Sequence, residues 1–487
     1  MQPIKRGFEM AGPKDNREYI SRLKESGDIR SVKRVVHWDL EMGAMVRRTC
    51  ETGGPSLLFE NIVDYPEYRV FGAPIATFRR FAVAIGKKPE TPVGELIAEY
   101  EVAMGRPMKP VIVSSGPCQE NVVKGDDVDL FSLPVPMVHE GDGGRYIGTW
   151  HINLAKDPDS DWVNWGMYRV MLTSEKVMAG LCLPTSDQGK IFYGKYVPKK
   201  RPMPFAMAIG ADPVSSMVSM ASFGVGVNEA DYAGALLGQP VELVKAVTSD
   251  ILVPAHAEII LEGELFHNAV AEEGPFGEYT GYRTAPRTNR SVYKVNVITF
   301  RNNPIFTMTC LGTPVDDCAL GMAVIRSVDI KRFLVDNGVP VTSVFVPPEG
   351  AMMLGVVGIK AQYSNIAQQI GQLIFGAKFG GLWMSSLIVV DEDVDVFNIS
   401  EVLHSLVTKC HPVKGITVLP RAIGSPLFPF LDVNDRILSK GCKAVYDCTW
   451  PIEWPKGDIP TKAAFSTMYP NDIQERVLSK WEEDCAV

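Results

Sequence analysis

The chain reads as a mixed α/β protein of two or three domains, with α/β sections at both ends and a strand-rich part between them. Three observations predict this. At 487 residues the chain exceeds the roughly 250 to 300 residues at which a single hydrophobic core stops growing. Apolar patterns of helical and strand period alternate before about residue 115 and again after about residue 338. Between those sections, short apolar runs are separated by Gly, Pro and Asp turns.

Each element follows in order. Asp15 and Asn16 are good helix caps, and Tyr19, Ile20 and Leu23 then repeat at helical spacing until Gly27, so the chain opens with a helix. Strand-like Tyr68 to Phe71 and helix-like Val93 to Met104 complete a small α/β region over 1–115. From Ser114 to about Arg301 the runs are short and β-rich, among them Ala257 to Leu261 and Tyr293 to Phe300, as in a barrel or a sandwich. Leu320, Val324, Val328, Ile330 and Phe333 suit a connecting helix within 314–337. A second α/β section over 338–450 alternates Thr342 to Val346 and Ser386 to Val390 with helical Ala361 to Phe375. A Pro- and Trp-rich tail over 451–487 ends in an amphipathic segment, Ile473 to Glu483, able to pack on a neighbouring subunit.

Composition excludes several classes. Hydrophobic residues at 46% and charged residues at 22% are those of a globular protein. The net charge of −8 comes without a basic stripe, which argues against nucleic acid as a partner; Lys199, Lys200 and Arg201 read as a solvated loop. The nine cysteines are odd in number and scattered, pointing to a reducing compartment. No apolar leader or membrane-length run is present, so a cytoplasmic location away from the membrane is expected.

The common phosphate-loop, dinucleotide, zinc-protease and nucleophile-elbow motifs are absent. Phe223-Gly-Val-Gly-Val and Lys378-Phe-Gly-Gly carry fragments of such loops and read as turns. Two segments stand out chemically. Asp161-Trp-Val-Asn-Trp-Gly-Met-Tyr-Arg169 places an Asn, two Trp and an Arg between a turn and an apolar run, compatible also with a packed strand bearing one surface Arg. Glu272-Glu-Gly-Pro-Phe-Gly-Glu278 sets carboxylates apart across a Gly-Pro turn. Paired carboxylates beside an Arg let a site keep one acid ionised while the other moves protons, although a solvated acidic turn has the same composition.

Taken in order, the segments RRTCETGGPSLLFENI, GPCQENVVKGDDVDL, NWGMYRVM, VNEADYAGALLG, PAHAEIILEGE, EEGPFGEYTGY, VPPEG, VDEDVDVF and YPNDIQERVLSKW resemble the UbiD family of decarboxylases, which use prenylated FMN. The resemblance spans nearly the whole chain. It implies a split β-barrel over 116–313 that carries the flavin, and a C-terminal α/β domain used for oligomerisation, hence a homodimer or larger assembly. It places the catalytic set at Arg169, Glu273 and Glu278, with Glu278 the proton donor. It also implies reversible decarboxylation through a covalent adduct of substrate and prenylated FMN, which accepts the electrons left when CO2 departs from an sp2 carbon.

By the same resemblance the cofactor lies along Asn164, Trp165, Gly166, Met167, Tyr168, Arg169, Ser186, Asp187 and Glu229, with Lys378 reaching its phosphate. Mn2+ or Mg2+ would bind Asn164 and Glu229, hard oxygen donors. Many members supply a His as a third ligand where this chain has Asp187, itself a reasonable ligand. K+ or Na+ would lie near Trp165, Val218, Ser219 and Ala221. Leu183, Tyr279, Cys310 and Thr313 are candidates for the substrate wall. None of the seven His falls in a recognisable ligand pair, and His256 and His267 read as structural. A flavin prenyltransferase would supply the cofactor. The expected substrate is a small aromatic or heteroaromatic acid; a conjugated acrylic acid of the cinnamic type, a non-catalytic flavin-binding homologue and a subunit of a larger carboxylase complex are the rivals.

Overall fold

The molecule is described by a computed structural model over residues 10–485. The expectation about a leader in residues 1–9 and the last two residues of the tail lie outside that range.

The opening helix is Asn16–Ser26: the Asp15 side chain accepts from the Glu18 N–H, and Gly27 closes it at φ 75°. Behind it lies a four-stranded sheet ordered Ile29–Val36, Ser56–Ile62, Arg69–Gly72, Ile305–Met308. Its last strand arrives from far along the chain, pairing in parallel with Arg69–Gly72. Helix Val93–Met104 packs beside this unit, and the short strand Val111–Val113 pairs with Glu242–Lys245 of the middle part.

The middle part is one sheet of nine strands. Its path runs Tyr146–Gly148, Val170–Leu172, Val177–Gly180, Thr288–Phe300, Ile259–Glu273, Met203–Ile209, His151–Lys156, Val163–Gly166, with Asn121–Lys124 added on Thr288–Phe300. Strands adjacent in sequence thus stand near opposite ends of the path. Val163–Gly166 and Val170–Leu172 are six strand positions apart, roughly 29 Å in a flat sheet. The three residues between them span at most about 14 Å. The sheet must therefore curl until its ends approach, and it forms an open barrel with Met167, Tyr168 and Arg169 bridging the opening. The two long strands that make the back, Ile259–Glu273 and Thr288–Phe300, carry bulges that admit this curvature.

Helix Asp317–Asp336 then connects to a five-stranded sheet ordered Val341–Phe345, Leu354–Ile359, Ser386–Asp391, Lys440–Cys448, Ile416–Ile423. Both faces of this helix are buried: Ile325 joins the large core shared with the N-terminal helices, and Ile330 and Leu334 join the core of the C-terminal sheet. Two expectations change. Lys378–Gly381 is a short helix rather than a turn, following directly on Ile366–Gly376. The tail segment is two helices, Asn471–Leu478 and Trp481–Cys485, parted at Ser479 and Lys480. No described helix is long and apolar enough to cross a membrane.

Because Leu334 is fully buried where the connecting helix meets the C-terminal core, Leu334→Ala should lower stability by about 2 to 5 kcal/mol. Thermal or denaturant unfolding followed by tryptophan fluorescence checks this.

Candidate functional site

Arg169 stands where the bridging segment rejoins the sheet, just before Val170–Leu172. Its guanidinium makes a two-pronged contact with Glu273, Nε to Oε1 at 2.8 Å and Nη2 to Oε2 at 3.0 Å. Its third nitrogen, Nη1, faces Oε1 of Glu278. One fork therefore serves two carboxylates, the bidentate and directional pairing that Arg provides and Lys does not. Glu273 is the last residue of the long strand Ile259–Glu273, and Glu278 lies on the loop that follows; their residues are 0% and 6% exposed.

Glu273 has further partners. Tyr146 Oη donates to its Oε1 at 2.6 Å, and Arg290 Nε approaches its Oε2 at 3.5 Å. Phe276 lies under the Arg169 guanidinium at 5.6 Å and against the Tyr146 ring at 4.2 Å. Tyr146, Met171 and Phe276 form a separate small apolar cluster with Leu311 against it. The three charged groups are thus largely buried against an apolar wall, where each ionic contact is worth more than in water.

A second set of polar groups occupies the start of the bridging segment. Val163–Gly166 pairs with His151–Lys156, and Glu229 opens helix Glu229–Leu237, where a carboxylate meets the positive end of the helix dipole. Glu229 Oε2 accepts from the Trp165 N–H at 2.9 Å, and its Oε1 accepts from Asn164 Nδ2 at 3.2 Å. Burial pushes the Glu229 carboxyl up to about 8, and nearby Asp187 adds to the rise. Asn164 Oδ1 is buried without a donor.

Two other buried acids of this chain are better satisfied. Glu258 is paired with Arg17 at 2.8 Å, and Glu262 accepts from two backbone N–H groups and the Thr248 hydroxyl. Compared with these two, Glu229 is undercompensated, and a carboxylate beside an unpaired amide oxygen has the chemistry of hard-cation donors. Asp187, the first residue of the short helix capped by Ser186, contacts Lys190 at 2.6 Å and Lys378 at 3.7 Å. The residues fit a divalent ion held by two carboxylates and one amide oxygen, although no group of three His, Cys, Asp or Glu suited to a metal occurs among the described residues.

Tyr168 folds over Gly166, where a Cβ would meet its ring at 2.3 Å. Met167 packs on the large core. Val218, Ser219 and Ala221 follow one another at the C-terminal end of helix Pro213–Val218, with Val218 in the same core as Trp165. Of the substrate-wall candidates, two adjoin the loop of Glu278. Cys310 Sγ lies 3.2 Å from His139 Nε2, and Thr313 is the nearest neighbour of Gly281. Tyr279 turns its ring toward Trp383 at 5.9 Å, and Leu183 is 45% exposed on the loop before Ser186.

Sequence reasoning missed Tyr146, Arg290, His139, Asp142, His151 and Asn153. Only His139 carried a usable signal, an Asp three residues later. His151 Nε2 and Asn153 Nδ2 both reach the Tyr168 carbonyl, at 3.0 and 3.2 Å, fixing the backbone next to Arg169 from beneath. Burial lowers the His151 pKa from 6.5 to about 4, so the imidazole is neutral.

Comparison with known proteins follows this geometry. Three family models match in succession: the 3-octaprenyl-4-hydroxybenzoate carboxy-lyase N-terminal domain over residues 20–100, its Rift-related domain over 109–314 and its C-terminal domain over 320–448. Pyrrole-2-carboxylic acid decarboxylase of Pseudomonas aeruginosa is 33% identical, with 96% of this chain and 98% of that protein aligned. Ferulic acid decarboxylase 1 of Saccharomyces cerevisiae is 29% identical over 96% and 97% of the two chains. The UbiD-class enzyme HmfF of Pelotomaculum thermopropionicum in complex with FMN superposes with a TM-score of 0.83 at 28% identity, covering 92% of this chain and 97% of that one. An evolved dimeric form of HmfF in complex with prFMN gives 0.79 at 29% identity over 92% and 97%.

The neutral His151 makes a pH prediction. Its folded-state pKa of about 4 lies below the ordinary 6.5, so the native state resists the proton. The associated stability is complete above about pH 6.5 and is lost as the pH falls toward 4. His151→Gln should flatten that part of the stability curve, measured by urea unfolding at a series of pH values.

Proposed function

The chain belongs to the UbiD family of decarboxylases, and on that premise we propose that it removes CO2 reversibly from a small aromatic or heteroaromatic carboxylic acid, with Glu278 returning the proton. The observation that carries this reading is the placement of one guanidinium between two buried carboxylates, which a binding protein has no need to assemble. The relative that acts on pyrrole-2-carboxylic acid supports a heteroaromatic substrate. The relative named for ferulic acid supports the second reading, a conjugated acrylic acid.

The residues divide the work by their surroundings. Arg169, bonded twice to Glu273, keeps one positive charge in a region that receives an anionic substrate. Glu273, fastened also by Tyr146, is the fixed member, and its partners leave its carboxyl no freedom to swing. Glu278 makes a single contact to Arg169 and lies on a loop, so it is the member able to carry a proton. As the bond to CO2 breaks, its electron pair stays on the ring or vinyl carbon. The Glu278 carboxyl gives its proton to that carbon and takes another from solvent. Phe276, Met171 and Leu311 keep water from the same position.

Prenylated FMN, when bound, would supply the electrophilic chemistry that stabilises the electron pair at that carbon until it is protonated. Asn164, Glu229 and Asp187 would hold Mn2+ or Mg2+ against its phosphate, with Lys378 as a point charge. Ser186 and residues Trp165 to Tyr168 would border the flavin, and Trp165, Val218, Ser219 and Ala221 would surround K+ or Na+. Assembly as a homodimer and supply of the cofactor by a flavin prenyltransferase belong to the same reading.

Three experiments test it. Protein co-expressed with a flavin prenyltransferase should release CO2 from members of a panel of benzoic, pyrrole-type and cinnamic acids. Turnover confined to the cinnamic acids would replace the first reading with the second. In that preparation Glu278→Gln should retain flavin while turnover falls about 10² to 10⁴-fold, and Glu273→Gln should impair turnover through the lost partner of Arg169; full activity in both variants would remove these roles. Asp187→Ala should weaken metal and flavin retention together, by about 10 to 100-fold in affinity, measured by elemental analysis and flavin absorbance. Unchanged metal content would take Asp187 out of the metal site.

A further inference from the structure

Outside the groups used above, one polar cluster joins three segments of chain around the loop of Glu278. Asp142 is buried, its side chain 0% exposed. Its Oδ1 accepts from the Gly277 N–H at 3.0 Å, and its Oδ2 pairs with His139 Nδ1 at 3.0 Å. The other nitrogen of His139, Nε2, reaches the Leu311 carbonyl at 2.8 Å and Cys310 Sγ at 3.2 Å. Burial works against the His139 cation, but its bonds to Asp142 and Cys310 outweigh that and hold its pKa up at about 10. The imidazole therefore has a proton on each nitrogen, one donated to Asp142 and one toward Leu311.

The packing is as close as the hydrogen bonding. A Cβ at Gly277 would meet His139 Nδ1 at 2.6 Å, and one at Gly143 would meet the Gly274 carbonyl at 2.1 Å. Gly143 N–H also donates to the Pro275 carbonyl at 2.7 Å. Arg283, on the far side of the loop, approaches Asp142 Oδ1 at 3.5 Å and bonds the Glu140 carbonyl. The segment 274–283 is thus fastened at its start, its middle and its end to residues 139–143, which His139 ties in turn to residues 310–311. Gly277 is the residue before Glu278.

We infer that Asp142, acting with His139, is a positioning residue that sets where the Glu278 carboxyl stands relative to Arg169. This rests on the reading of Glu278 as proton donor. The pair itself does no proton transfer to substrate: both His139 nitrogens and both Asp142 oxygens are engaged within the cluster. Its effect is geometric, and displacement of a reacting group by about 1 Å is enough to cost about 100-fold in rate.

The test uses full-length protein with its flavin and three variants: Asp142→Ala, Gly277→Ala, which drives His139 away, and Asp142→Asn, whose amide oxygen still accepts from Gly277. Asp142→Ala and Gly277→Ala should lower kcat and the exchange of the product's ring or vinyl proton with solvent deuterium by about 100-fold. KM and flavin content should hold, and Asp142→Asn should recover most of the loss. Backbone amides of 274–283 should exchange faster in the first two variants. Unchanged kcat in Asp142→Ala, or a loss matched by falling flavin content and not recovered in Asp142→Asn, overturns the inference. If wild-type protein turns over no carboxylate, the functional reading fails, and amide exchange decides the latch alone: faster exchange sustains it and unchanged exchange ends it.

Discussion

The constraint on which the structure depends is the shortness of the connections that cross the barrel opening. Two residues lie between Tyr146–Gly148 and His151–Lys156, and three between Val163–Gly166 and Val170–Leu172, yet each pair sits near opposite ends of the same sheet. Such connections leave no freedom: the sheet closes on them, and whatever they carry is held at the opening by the hydrogen bonding of nine strands. Asn164, on the strand that enters the bridging segment, and Arg169, at its end, are therefore fixed five residues apart at the opening. The Asn164–Glu229 pair and the Arg169 carboxylate cluster are placed by a single backbone requirement, the kind of rigid support on which a site is built.

Electrostatics then separates two acids of the same type. Glu273 ends a strand and meets Arg169, Tyr146 and Arg290, whereas Glu278, one turn of loop later, has Arg169 and a backbone held by Asp142. The difference is one of attachment. On the proposed function, the carboxylate anchored by several donors is the permanent charge, and the one anchored through its main chain keeps its side chain for the proton.

Much of this was readable in the amino-acid order. Helix Asn16–Ser26 announced itself by Asp15 and Gly27, and the connecting helix by its apolar period. The residue pattern drew attention to the segments of Arg169, Glu273 and Glu278 but left them open to a packed strand and a solvated acidic turn; their assignment came from the resemblance to the UbiD family. The supports were not visible, because Tyr146, Arg290, His139 and Asp142 are ordinary residues brought in from separate segments by the curl of the sheet. A four-residue helix such as Lys378–Gly381 has no period to detect, and its glycines point toward a turn. The strand Ile305–Met308 lay hidden for another reason: a short apolar run does not say which sheet it joins.

That strand has a consequence for how the protein is made. The first sheet to leave the ribosome lacks its fourth member until residues 305 to 308 have been synthesised, so the row of unpaired groups along Arg69–Gly72 stays open while the whole barrel is translated. The nascent N-terminal section is an unfinished sheet waiting for a late piece, and it shares this need with the barrel, whose chain must pass through it before reaching the connecting helix. The regions that look like successive modules in the sequence are completed together, and a fragment ending before residue 305 would leave open a strand edge that the native fold never presents.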